Sequence, residues 1–263
     1  MKAIILAAGT ASRLRPLTLH TPKCLLKVGE RTLLQRSMDA LIKAGIRDFV
    51  IVTGYLHEQI EDFVRNTYLN SLPSREGRGG SFLPLMEGQG GSFRFIHNKD
   101  YETTNNIYSL WLARPEAEGE EVLLLDSDLL YDGQIVERVL SAGQENVLTL
   151  IRHELGEEEM KVVMSPDGTI TEISKTCNPA LAAGESLGIE RMGKAYTTAL
   201  YKELDVMMNQ EHLENKFYEL AFQRLIAKGF TFSVLDVTDL FSCELDTVED
   251  FENAKQRIPA HLY

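Results

Sequence analysis

The chain predicts an α/β fold built on a mixed, mostly parallel sheet. Three observations lead there. Short continuous apolar runs at Lys2–Ala8, Asp48–Thr53 and Glu121–Leu125 end at Gly or Asp, as strands buried on both faces do. Helical patterns lie between them, and the connections are long enough for parallel crossovers. The second half turns to alternating patterns and a hairpin signal, which would append a smaller antiparallel lobe.

The elements follow in order. Lys2–Ala8 is the first strand and stops at Gly9. Thr32–Ala44 carries Leu33, Leu34, Met38, Leu41 and Ile42 at helical spacing, and Gly45 stops it. Asp48–Thr53 (DFVIVT) is a buried strand ending at Gly54, followed by an amphipathic helix over Leu56–Tyr68. Phe93–His97 is a short strand. Asn105–Arg114 reads as a helix that Pro115 closes. Glu121–Leu125 is the third buried strand, and Asp126-Ser127-Asp128 sits at its carboxyl end, where such sheets bind ligands. Glu145–Arg152, Met160–Ser165 and Thr169–Ser174 read as strands, the last two joined across Asp167-Gly168. Ser186–Met192 is a further strand, Phe217–Ala227 a helix and Phe230–Val237 a strand. Val248–Arg257 is a final helix, with Thr247 as N-cap and Asp250 three residues on. No clean linker appears, so one domain over residues 1–263 is expected, with lobes at 1–140 and 141–263. Residues 71–92 break the pattern. Six of the 19 glycines lie there, a density that resists regular structure. The segment is either a passive surface loop or a lid or subunit contact.

Composition narrows the function. With 27 basic and 39 acidic residues, the net charge of −12 disfavours nucleic acids and anionic membranes as partners. At 44% apolar the chain can bury a core, yet no run reaches about 18 apolar residues, the length of a membrane span. Cys24, Cys177 and Cys243 are odd in number and far apart, which argues against a disulfide framework. The N-terminal apolar run is short, and Arg13 and Arg15 follow it instead of preceding it. A cytoplasmic, reduced protein is expected. His20, His97 and His153 form no HxH or HxxxH pair, so no zinc site is expected.

The strongest chemical signal is Leu6-Ala7-Ala8-Gly9-Thr10-Ala11-Ser12-Arg13-Leu14, followed by Thr21-Pro22-Lys23. Small residues after a strand let backbone N–H groups approach phosphate oxygens. Arg13 can hold a phosphate bidentately, and Lys23 adds a point charge. Neither GxxxxGK[ST] nor GxGxxG is present. Asp126 and Asp128 suit a hard cation such as Mg2+, or simple capping of the turn. Glu244 and Asp246 stand just before the last helix.

LAAGTASRL, with PKCLLKV over Pro22–Val28, resembles the signature LAAGxGSRL…PKxLxxV. That signature belongs to the nucleotidyltransferase family that makes activated sugars and alcohols from nucleoside triphosphates. Ala11 stands where the family usually has glycine, which restricts the turn. The resemblance implies a Rossmann-like, nucleotide-diphospho-sugar transferase type of fold with a small acceptor lobe. It implies Asp128 and Asp246 as the carboxylates holding Mg2+. It implies Arg13 and Lys23 as catalytic residues. It places the nucleotide on Leu6, Ala7, Ala8, Gly9, Thr10, Ala11 and Ser12, with Gly54, Tyr55 and Asn105. Glu244 would be a supporting or acceptor contact.

Asn98-Lys99-Asp100-Tyr101 with Thr104–Leu110 (TNNIYSL), Glu157–Val162 (EEEMKV) and Gly184–Ile189 (GESLGI) resemble the phosphocholine cytidylyltransferase branch and its aminoalkylphosphonate relatives. That branch implies CTP, a small cationic phosphorylated or phosphonate acceptor, and release of pyrophosphate. A cationic head needs aromatic faces or carboxylates. Tyr108, Trp111, Glu185, Tyr218 and Glu219 are the candidates. Lys161 would contact the acceptor's phosphate, or else sit ion-paired on a strand surface. The acceptor stays open between choline and a primary amine, and the oligomeric state stays open with a homodimer as one option. Two alternatives stand beside this reading. One is a sugar-1-phosphate nucleotidylyltransferase using UTP, GTP or dTTP. The other is an inactive nucleotide-sensing module, against which the presence of Lys23, Asp128 and Asp246 speaks.

Overall fold

Burial on both faces explains the continuous apolar runs. The computed structural model describes residues 1–69, 83–84 and 91–262. Ten strands form its main sheet: β1 (Lys2–Ala7), β2 (Asp48–Thr53), β3 (Leu83–Pro84), β4 (Ser92–His97), β5 (Val122–Asp126), β6 (Val147–Ile151), β7 (Lys161–Met164), β8 (Ile170–Ser174), β9 (Ala182–Met192) and β10 (Ser233–Asp236). Their order is β8-β7-β9-β5-β1-β2-β4-β3, with β6 against β9 and β10 against β6. The strands β5, β1, β2 and β4 are parallel to their neighbours among themselves. The strand β9 runs antiparallel to β5, β6 and β7, and β7 antiparallel to β8. The expected mixed, mostly parallel centre with an antiparallel flank is therefore present.

Alternate residues of β1 serve two cores, as the period of two requires. Ile4 and Leu6 pack in one layer with Ile107, Leu110, Leu200, Leu204 and Phe222. Ala3 and Ile5 pack in the other with Leu34, Met38, Leu41, Ile60 and Ile135. A third cluster joins Leu14, Leu26, Leu130, Leu245 and Phe251, drawn from both ends of the chain. In register, Leu6 stands beside Val52 on one side and Asp126 on the other, so three parallel strands end at one level.

Several expectations change. The helix Asn106–Leu112 is followed by a second short helix, Arg114–Ala117. Pro115 lies in the first turn of that second helix, where its missing N–H costs nothing, so it does not end the helical region. Helices at Gln134–Ser141 and Lys194–Asn209 were not expected from the sequence. The strand β9 starts at Ala182, not at Ser186. The capping box of Thr247 and Asp250 is formed as expected. The glycine-rich segment, apart from residues 83–84 and 91–92, lies outside the described residues, and with it the choice between loop and lid. No helix among the described residues is long and apolar enough to cross a membrane.

Gly54 turns the end of β2 against β1. A Cβ there would stand 2.5 Å from the Ala8 carbonyl oxygen and 2.8 Å from Tyr101 Cβ. Neither obstacle is the end of a flexible side chain. Gly54→Ala should therefore cost about 1–3 kcal/mol of stability, the scale of overpacking. Urea unfolding checks this, and a variant as stable as the parent contradicts the close approach.

Candidate active site

The strand ends and the third core cluster assemble the site. Each charged residue is next to a buried anchor in the sequence. Arg13 precedes Leu14, Lys23 precedes Cys24, Asp128 precedes Leu129 and Asp246 follows Leu245, and all four anchors are at most 2% exposed. Anchoring the neighbour fixes the Cα–Cβ direction of the functional side chain. The segment Ser242–Glu244 pairs antiparallel with Leu129–Tyr131, and Leu245 N–H donates to the Asp128 carbonyl at 3.2 Å. These contacts bring Asp246 beside Asp128 across more than a hundred residues of sequence.

Between the two carboxylates lies Lys23. Its Nζ donates to Asp128 Oδ2 at 2.8 Å and to Asp246 Oδ1 at 2.7 Å. Arg13 Nη2 donates to the second oxygen, Asp246 Oδ2, at 2.6 Å. Burial alone would lower the Lys23 pKa, but Asp128 and Asp246 outweigh it and hold it above its ordinary value. Burial would likewise raise Asp246, and Lys23, with Arg13, holds it below the usual carboxylate range.

The turn after β1 reaches the same point. Ala11 has φ 46° and ψ 50°, the left-handed region, so the alanine in the family's glycine position is held in a strained conformation. Thr18 Oγ1 donates to the Ala11 carbonyl at 2.9 Å. The Tyr55 hydroxyl reaches the carbonyls of Thr18 and Leu19 at 3.0 and 2.8 Å, and Tyr55 N–H donates to Ala8 O at 3.0 Å.

These groups line a cleft of about 340 Å³. Leu6, Ala7, Ala8, Gly9, Ala11, Arg13, Lys23, Asn105, Asp128 and Asp246 border it, together with Asp126, Glu185, Glu219 and Glu244. Thr10 and Ser12 belong to the turn but do not line the cleft. Gly54 and Tyr55 do not line it either and act as the spacer and strut of the turn.

The other acceptor candidates separate. Lys161 is 1% exposed, and its Nζ donates to the carbonyls of Gly156, Glu157 and Glu159 at 2.9, 3.3 and 3.1 Å. It caps a loop from within, which replaces both alternatives considered for it. Trp111 Nε1 points to Asp205 Oδ1 at 3.4 Å, and its ring lies 5.4 Å from that of Tyr108. Both pack against the first core layer and not along the cleft. Tyr218 is fully buried behind the cleft, where its hydroxyl donates to Asp126 Oδ2 at 2.9 Å. Asn106 Oδ1 accepts from Tyr218 N–H at 2.9 Å and so sets the position of Phe217 and Glu219. Lys175, Phe217, Met160 and Asn106 border the cleft without having been singled out as site residues. Their chemistry is too common for sequence alone to mark them.

Glu219 sits in the wall at 6% exposure, and Glu190 is fully buried without lining the cleft. Burial pushes Glu219 up to about 7. Burial also pushes Asp126 and Glu190 well above the usual carboxylate range, with neighbouring carboxylates adding to it. A group raised in this way holds its proton to a higher pH in the folded state than in the unfolded chain. Stability from Glu219 is therefore full below about pH 4.5 and is lost as pH rises through about 7, on the order of 3 kcal/mol. Glu219→Gln should flatten that loss. Denaturant unfolding at pH 5 and pH 8 checks it, and an unchanged pH slope contradicts it.

The donor set fits a hard divalent cation. Asp128 and Asp246 converge on one point, where they now share the Lys23 ammonium. Among the described residues no three His, Cys, Asp or Glu side chains form a complete cage. Two carboxylates suffice for an ion that takes its remaining ligands from water and phosphate.

Comparison with known proteins adds a family to this geometry. A choline-phosphate cytidylyltransferase of Streptococcus pneumoniae is 35% identical over 129 residues, 49% of this chain and 46% of that enzyme. The CTP:phosphoglutamine cytidylyltransferase of Campylobacter jejuni is 24% identical over 272 residues, 96% of this chain and 98% of its own length. The solved CTP:phosphocholine cytidylyltransferase of Streptococcus pneumoniae shares the fold, with a TM-score of 0.74 at 22% identity over 98% of this chain and 99% of that one. Residues 2–174 match the family described as nucleotidyl transferase. That stretch takes in the turn after β1, Lys23 and Asp128, and on this match the chain belongs to the nucleotidyl transferase family.

Proposed function

We propose that the protein is a cytidylyltransferase. It transfers CMP from CTP to a small cationic acceptor carrying a phosphate or phosphonate, and releases pyrophosphate. The observation that carries this reading is the Lys23 ammonium held between Asp128 and Asp246 beside the turn after β1. The choice of CTP is supported by relatives whose names specify it. The choice of a cationic acceptor is supported by the lining of the cleft. Among the described residues it carries seven carboxyl side chains (Asp126, Asp128, Glu158, Glu185, Glu219, Glu244, Asp246) against three basic ones (Arg13, Lys23, Lys175).

An acceptor oxygen attacks the α-phosphorus of CTP, the bond to the bridging oxygen breaks, and pyrophosphate leaves with its electron pair. The acceptor oxygen is already ionised near neutral pH, so the task is positioning and charge neutralisation. Backbone N–H groups from Ala8 to Ser12 cradle the triphosphate. Arg13 neutralises the leaving pyrophosphate. Lys23 exchanges its carboxylate partners for phosphate oxygens around the α-phosphorus. Asp128 and Asp246 would hold Mg2+, which when bound supplies further neutralisation of phosphate charge.

The test is pyrophosphate release with Mg2+, crossing CTP, UTP, GTP and dTTP against phosphocholine, 2-aminoethylphosphonate and sugar 1-phosphates. Release with CTP and a cationic acceptor is expected. Release confined to a sugar 1-phosphate contradicts the acceptor class. Tight nucleotide binding with no release in any pair contradicts catalysis.

A further inference from the structure

The acceptor side of the cleft is built for a cation that carries N–H bonds. We infer that the acceptor bears a primary ammonium group, held by Glu219 and Glu185, and that a trimethylammonium head is excluded. This rests on the transferase reading above and narrows its acceptor.

Glu219 lines the cleft and is 6% exposed, and its Oε2 is buried with no hydrogen-bond partner among the described residues. Leaving such an oxygen unpaired costs free energy, so the site is completed by a donor from the ligand. Glu185 lines the same side. Its Oε2 accepts from His153 Nε2 at 2.7 Å, which holds the carboxylate in place while lone pairs remain on its oxygens. A primary ammonium has three N–H donors for these acceptors, whereas trimethylammonium has none and would seal them away from water.

The second part is the aromatic inventory. A quaternary ammonium is recognised by aromatic faces. Among the described residues the aromatic side chains bordering the cleft are Tyr101 and Phe217. Tyr101 belongs to the nucleotide side, next to Gly54. One face of Phe217 is taken by Lys175, whose Nζ lies 4.8 Å from the ring centroid, which leaves a single aromatic face on this side. Trp111, Tyr108 and Tyr218 are directed elsewhere, as described above. No aromatic cage is assembled from these residues.

The wild-type protein tests this with CTP and four acceptors: phosphoethanolamine, its N-methyl and N,N-dimethyl forms, and phosphocholine. kcat/KM should fall along the series, by at least ~100-fold between the ends, because a site built to bond an N–H rejects the analogue lacking it. Glu219→Gln should raise the KM for phosphoethanolamine at least ~10-fold, narrow the gap to phosphocholine and leave the KM for CTP unchanged. A flat series, or one that rises toward phosphocholine, overturns the ammonium assignment and leaves the transferase reading standing. Silence with all four acceptors, alongside turnover of a sugar 1-phosphate, overturns both.

Discussion

Replacing Lys23 by alanine should lower kcat by at least ~100-fold, the scale of one lost electrostatic stabiliser. The expectation follows from where the ammonium sits. It is 12% exposed and lies within 2.8 Å of two carboxylates. Its removal leaves Asp128 and Asp246 facing each other without their shared cation, with Arg13 still bonded to Asp246. On the proposed mechanism, the negative charge that develops on the phosphates then meets carboxylates in place of a cation. Rapid-quench measurement of the chemical step separates this loss from weaker nucleotide binding. A chemical step within a few-fold of the parent removes Lys23 from the mechanism.

Asp128→Asn carries the second large effect. Asparagine keeps the size of the side chain and removes the charge that faces Lys23. Turnover at saturating CTP should fall at least ~100-fold. The Mg2+ concentration needed for half-maximal rate should rise, because one of two converging carboxylates has lost its charge. A magnesium titration of the variant checks both. Near-normal turnover at the parent's magnesium concentration contradicts the placement of Asp128. The same substitution at Asp246 disturbs more, since its two oxygens serve Lys23 and Arg13 separately.

Much of this fold is legible in the residues. Where strands are covered on both faces, as β1, β2 and β5 are, the apolar runs are uninterrupted and their limits show within about two residues. The strand β9 is harder because Gly184 and Gly188 interrupt it. The second glycine has φ +78°, and a Cβ there would stand 2.8 Å from Asp126 Oδ2. The register of β9 against β6 shifts over that same stretch. A glycine that looks like a break is there an irregularity of the strand beside the site. The helix Lys194–Asn209 escapes detection for a different reason. Thr197 and Glu203 are buried along with Tyr196, Leu200 and Leu204, so polar and apolar residues share its inner face and the stripe is blurred.

The site divides in the same way. The turn from Ala8 to Arg13 and the Asp126-Ser127-Asp128 step are local, so sequence displays them. The meeting of Asp246 with Asp128 is not local. It depends on Leu245 joining Leu14 and Leu130 in one apolar cluster, and no spacing along the chain encodes that. Side-chain direction is also hidden. Lys161 in a strand after three glutamates suggests a surface base, yet it turns inward onto three carbonyls. Tyr108 and Trp111, three residues apart, pack on each other, but Trp111 reaches Asp205 on the helix Lys194–Asn209 and the Tyr108 hydroxyl reaches Asp100, and neither lines the cleft.

The central claim is that a phosphate or phosphonate oxygen of a small cationic acceptor becomes bonded to the α-phosphorus of CTP. Phosphorus NMR of the reaction of CTP with phosphoethanolamine reads that bond directly. The account predicts a new pair of mutually coupled phosphorus signals from one anhydride, growing together with free pyrophosphate. Their absence from the CTP reaction, with such a pair appearing when a sugar 1-phosphate and another nucleoside triphosphate are supplied, would contradict it.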